Sequence, residues 1–236
     1  MTFIPNEPGL LPAHTASRPV ASGLRRFAVP ASQRRTPAAQ ELPPSSSPHT
    51  PDQDEHCELC GERLASTHAH MVDPRHRSIT CACTACALLF TRPGGRYRTI
   101  PDRVRQDPDT PLTDAEWAEL RIPVAMAFFF VNSSLGQVVA SYPSPAGVTE
   151  CELDLAAWDR LAATHPLLAA LEPDVEAILV VRGQPSETFL IPIDSCYSLA
   201  GALRLNWHGF DGGAEVRSIL TSFLAGLRQR ARTLEA

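Results

Sequence analysis

The sequence predicts an α+β protein in three parts. They are a disordered tail over residues 1–55, a small cysteine-rich ribbon-like module over 56–100, and an α+β domain with a mainly antiparallel sheet over 101–236. Three observations carry that reading. Pro, Ser, Ala and Thr crowd the first part without periodicity, so it cannot bury enough apolar surface to offset its ordering entropy. Five of the seven cysteines fall between Cys57 and Cys86. Beyond Pro111, short β-rich apolar runs alternate with stretches at helical spacing, and turn residues separate them.

The cysteines form two groups, Cys57 and Cys60 before Gly61, then Cys81, Cys83 and Cys86. A C-x2-C bend brings two thiolates to one side while backbone N–H groups point at the sulfurs. Two such bends facing each other make a tetrahedral sulfur cage suited to zinc or a single iron. The expected ligands are Cys57, Cys60, Cys83 and Cys86, which makes the module zinc-ribbon-like. Residues two apart in an extended strand share a side, so Cys81 could replace Cys83; it could equally be a spare thiol or a small apolar residue beside the site. Zinc is favoured over iron, because closed four-thiolate zinc sites are common and Ala87 stands where electron-carrier knuckles repeat the glycine. An iron–sulfur cluster that also uses Cys81 is a further option.

Between the bends, residues 69–73 and 77–80 read as two short strands joined by a turn at Asp73 and Pro74. His68 and His70 alternate on the first strand and His76 follows in the turn. These rings are exposed histidines, donors that orient the thiolates, or ligands for a transferable metal such as nickel. Ala87, Leu88, Leu89 and Phe90 are expected to cover the site, and Arg92 to Gly95 to close the module. So small a core could hardly hold without metal.

In the third part Thr113, with Glu116 three residues on, is a capping box for a short helix through Leu120. Residues 126–131 are a strand, 137–142 its hairpin partner, and 148–153 an edge strand after Pro143, Pro145 and Gly147. Asp154 caps an amphipathic helix through Ala163, and Pro166 breaks it. Residues 175–181 are a continuous apolar run that belongs at the centre of the sheet, with 188–193 as a further strand. Asp194 then caps a helix carrying Cys196, Leu199 and Leu203, and a long final helix spans 214–234.

Composition narrows function. All 21 basic residues are arginine, which excludes a Schiff-base lysine and a phosphate-loop lysine. The net charge is −5 and the C-terminal half is acidic, which argues against a nucleic-acid surface there. No run of about eighteen apolar residues is present, so no membrane span is expected. Arg25 and Arg26 lack the apolar core of an export signal, and clustered cysteines suit a reducing compartment, so the expected location is cytoplasmic. Cys196 with His208 is the best enzyme candidate, yet such a cysteine more often packs in the core, and no catalytic residue is assigned. Tyr142, Trp207 and Phe210 lie in aromatic loop patches that suit a partner surface or ordinary packing.

Several stretches together resemble one family. They are Cys57 to Gly61, Cys81 to Phe90, Arg96 to Arg98, Leu120 to Pro123, Tyr142 to Gly147, Leu171 to Val175 and Ile191 to Asp194. From Cys57 to its end the chain is similar to an uncharacterised actinobacterial protein family encoded beside nickel–iron hydrogenase genes. The resemblance implies a role near hydrogenase assembly or electron transfer and brings no catalytic residue. The leading expectation is a non-enzymatic, zinc-stabilised accessory or adaptor protein whose partners are hydrogenase subunits or maturation factors. Its alternatives are a rubredoxin-like iron–thiolate electron carrier and a nickel-handling maturation factor that uses His68, His70 and Cys81.

Overall fold

The computed structural model describes residues 55–183, 185–209 and 212–234. The tail expected over residues 1–55 lies outside them except for Glu55. The predicted hairpin is present: β1 (Ala69–Asp73) pairs antiparallel with β2 (Ser78–Ala82), placing His70 opposite Cys81 and Val72 opposite Ile79. Asp73 fixes the turn. Its buried carboxylate accepts hydrogen bonds from the backbone N–H groups of Arg75 and His76 and from Arg96 Nε at 2.7 Å. The Arg96 guanidinium holds this carboxyl well below the usual carboxylate range. After α1 (Thr84–Phe90), the short β3 (Arg98–Thr99) joins the free edge of β1 and completes a three-stranded sheet.

Because strand side chains alternate, this small sheet has two distinct faces. Met71 and Ala82 point into a cluster with Cys57, Cys86 and Ala87. Val72 and Ile79 point the other way, into a cluster with Phe128, Phe130, Leu179 and Phe189 of the larger sheet. The hairpin therefore shares one face with the cysteines and lends the other to the neighbouring core.

The larger sheet follows from β4 (Arg105–Gln106) onward. Its other strands are β5 (Met126–Asn132), β6 (Gln137–Ser144), β7 (Gly147–Cys151), β8 (Glu176–Val181), β9 (Glu187–Pro192) and β10 (Arg232–Thr233). The order is β10-β4-β9-β8-β5-β6-β7, antiparallel throughout except for the β10–β4 pair. The helices are α2 (Asp114–Glu119), α3 (Leu155–Thr164), α4 (Pro166–Ala169), α5 (Ile193–Asn206) and α6 (Gly213–Arg230). Ala127, Phe129, Ile178 and Val180 meet Trp117, Trp158, Leu161 and Leu168 on one face. Phe128, Phe130, Ala177 and Leu179 meet Ile193, Cys196 and Leu227 on the other, together with Val72 of the hairpin. Both faces of β5 and β8 are covered, which explains why these strands are apolar without alternation. The described α+β fold has the mainly antiparallel sheet that the sequence predicts.

Three local expectations are corrected. β6 runs through Pro143, which pairs with Val148 beyond the last β5 partner, where no ladder hydrogen bond to β5 is required. The final helix stops at Arg230 rather than residue 234; Ala231 is extended, and Arg232–Thr233 then pair with β4 at the sheet edge. Asp194 does not cap α5. The cap position is Pro192, and the Asp194 carboxylate instead takes the imidazole of His70 at 2.6 Å, a charge-assisted bond stronger than a neutral cap.

Candidate metal centre

The first knuckle is a tight reversal. Cys57 N–H donates to Glu62 O at 2.7 Å, Gly61 N–H returns to Cys57 O at 2.8 Å, and His56 bridges Arg63. Gly61 sits at φ +77, a conformation side chains disfavour. The Cys81 N–H and carbonyl, held by the Glu58 carboxylate and Glu58 N–H, fasten this knuckle to β2. The second knuckle is the first turn of α1. Cys83 occupies the helix cap, and its sulfur accepts from Cys86 N–H at 3.5 Å.

The two knuckles meet. The sulfurs of Cys57, Cys60, Cys83 and Cys86 all lie within 4.8 Å of one another, and Cys60 Sγ and Cys83 Sγ are 3.7 Å apart. A zinc–sulfur length of about 2.3 Å puts a tetrahedron edge at about 3.8 Å, so the spacing fits one ion at the centre. It does not fit a disulfide, whose bond is about 2.05 Å. Cys57 and Cys86 are buried, Cys83 half-buried and Cys60 exposed. Burial pushes the Cys57 thiol up, but backbone N–H groups of Cys83, Leu59 and Cys60 more than offset this and bring it down to about 6. Burial and the neighbouring sulfurs push Cys86 up to about 12, and a cation among the sulfurs would favour its ionised form. The cluster can hold a metal ion, and Cys83 rather than Cys81 stands in it.

Cys81 is elsewhere because β2 ends at Ala82. The two-residue rule holds only while the strand continues, and Cys83 has already turned into the helix cap. Cys81 shares the His70 face of the hairpin, and a ring nitrogen from each of His68 and His70 lies within 4.8 Å of its sulfur. Burial, then the charges of Glu58 and Glu55, push its thiol up to about 11. His76 turns away and bonds to Asp73 at 2.8 Å.

Leu88, Leu89 and Phe90 do not cover the cage. They are 76%, 57% and 47% exposed on the outer side of α1, while Ala87 alone of that run is buried. A helix beginning at the ligands presents only part of its circumference to them. Cys196 packs in the core beside Ile193, and burial pushes its thiol far up, whereas His208 is an exposed loop residue bonded to Asn206 O. Tyr142 is half-buried on β6, and Trp207 packs against Leu199, Leu203 and Val216 with its Nε1 donating to Gly209 O. Phe210 lies outside the described residues. The sequence reading missed Asp194 as the partner of His70. The only signal for it was an acidic residue with two possible uses.

Fold and site together define an α+β protein built around a four-cysteine cluster that can bind a metal ion. The family model described as Family of unknown function (DUF5947) matches residues 56–231, and the chain belongs to that family. No curated protein and no solved structure matches the chain. Among the described residues no helix is long and apolar enough to cross a membrane.

Proposed function

We propose that the protein is a zinc-stabilised, non-enzymatic accessory or adaptor protein of the cytoplasm, which supports the assembly or function of a nickel–iron hydrogenase. The observation that carries this reading is the four-sulfur cage itself. Four protein ligands complete a tetrahedral ion and leave no position for a substrate, which is the design of a structural site. Zinc is favoured over iron because closed four-thiolate cages are common structural zinc sites. The Ala87 N–H is committed to Cys83 O inside α1 at 2.9 Å, so it is not among the N–H groups that reach the sulfurs. The exposed Leu88, Leu89 and Phe90 sit on the helix that the metal anchors, so the ion holds an apolar patch in a fixed orientation. That patch suits docking on a hydrogenase subunit or maturation factor, and the resemblance to proteins encoded beside hydrogenase genes supports this choice of partner.

The test is to purify the tagged protein from cells making the hydrogenase, as wild type and as Leu89→Glu. Co-purification of a hydrogenase subunit or maturation factor with the wild type, and its loss in L89E at unchanged zinc content, is the expected result. Disrupting the gene should lower hydrogenase activity. A red, reducible protein containing iron, or hydrogenase unaffected by the disruption, would overturn the reading.

A further inference from the structure

The second face of the hairpin carries a separate set of donors, and its hydrogen bonds fix where their lone pairs point. His68 Nδ1 lies 3.0 Å from Ala65 O and 3.5 Å from a Glu55 carboxylate oxygen. Both are acceptors, so this nitrogen carries the proton. His70 Nδ1 lies 2.6 Å from Asp194 Oδ2, another acceptor, and carries its proton in the same way. In the neutral form of each ring the single N–H is then on Nδ1, and Nε2 offers a lone pair. Those two atoms face each other at 3.1 Å. A contact that short is held either by a proton shared between the two nitrogens, which the Asp194 bond favours by raising the His70 imidazole above its ordinary value, or by a metal ion that replaces that proton. Cys81, directly across the hairpin from His70, brings its sulfur within 4.8 Å of a ring nitrogen of each histidine.

We infer that His68 Nε2, His70 Nε2 and Cys81 Sγ form a second metal site, which takes a borderline divalent transition ion such as nickel(II), cobalt(II) or zinc(II). A metal–nitrogen length of about 2.0 Å places two tetrahedral ligands about 3.3 Å apart, close to the observed separation. Two imidazoles and one thiolate suit these ions and not magnesium or calcium. Asp194 is a positioning residue: it fixes the tautomer and orientation of His70, as carboxylates behind metal-bound histidines do. The histidines open onto a groove of about 440 Å³ that Asp102, Asp194, Ser195 and Arg230 also line. Three protein ligands with an open fourth position make an exchangeable site, in contrast to the closed sulfur cage. The inference does not depend on which metal the cage holds.

The experiment starts from full-length protein whose cage is filled, verified by metal analysis, and titrates it with cobalt(II) alone. One further equivalent should bind below millimolar concentration, with a sulfur-to-cobalt charge-transfer band and the visible absorption of a four-coordinate ion, while the cage metal stays in place. Cys81→Ser should abolish the charge-transfer band. Asp194→Asn should weaken cobalt binding by about 10–100-fold, with the cage metal retained. No second equivalent below millimolar concentration, as expected if the two imidazoles share only a proton, would overturn the inference. So would a second equivalent whose spectrum and affinity are unchanged in both variants. Loss of the cage metal from the wild type during titration would place the cobalt in the cage and also count against it.

Discussion

The cysteine module and the seven-stranded sheet solve the same problem with unequal means. The sheet buries residues on both faces: Phe129, Trp158 and Leu190 on one side, Phe128, Leu179 and Ile191 on the other. Among the described residues, the module's own cluster buries Cys57, Met71, Ala82, Cys86 and Ala87. Apolar burial stabilises by about 25 cal/mol per Å², so the first region can stand on packing and the second cannot. On the proposed reading, the difference gives a metal ion its work: in the module it would take the place of a core. The hairpin joins the two regions because each of its faces belongs to one of them.

The sharpest way to break this contrast is to remove the metal. Structural zinc in small domains contributes an apparent ~10–16 kcal/mol near neutral pH, far more than any single contact here. Treating the full chain with a strong chelator should abolish hydrogen-exchange protection across residues 57–90 and leave β5 and β8 protected. Uniform loss in both regions, or none in either, would remove the distinction. A smaller, complementary effect is expected from Phe129→Ala. Phe129 stacks on Trp158 with ring centroids 5.0 Å apart and is fully buried, so its truncation should cost ~3–5 kcal/mol in denaturant unfolding. The cage metal should stay bound in that variant under native conditions.

The smallest effect concerns acid, and in the sheet region it falls on Glu116. Burial raises the Glu116 carboxyl, but hydrogen bonds from His165 and the Thr113 cap outweigh it and lower it from 4.5 to about 2. A carboxyl lowered by folding stabilises the fold above its ordinary value, and that contribution is lost as the pH falls through about 2. Glu116→Gln should therefore make the stability profile shallower between pH 4.5 and about 2. An unchanged slope would show that the capping box and His165 do not couple to folding.

Much of this was legible in the sequence because the signals were local. The capping box of Thr113 and Glu116, the Asp73 turn and the apolar runs of β5 and β8 each state their structure within a few residues. The cysteine spacing pointed at the four cage residues for the same reason. What escaped was decided by distant partners. The two-residue strands β3 and β4 carry no periodicity, and β10 exists only because β4 offers it an edge. Asp194 reads as a helix cap until His70, more than a hundred residues earlier, is seen to claim it. The outward placement of Leu88 to Phe90 depends on which side of α1 meets the cage, and seven residues of helix do not declare that.

Native mass spectrometry of the purified full chain, as wild type and as Cys86→Ser, tests the central claim most directly. The wild type should carry at least one zinc whose removal requires all four thiols to be freed, and C86S should lose that ion together with the exchange protection of residues 57–90. A folded, protected module with four free thiols and no metal would contradict the account.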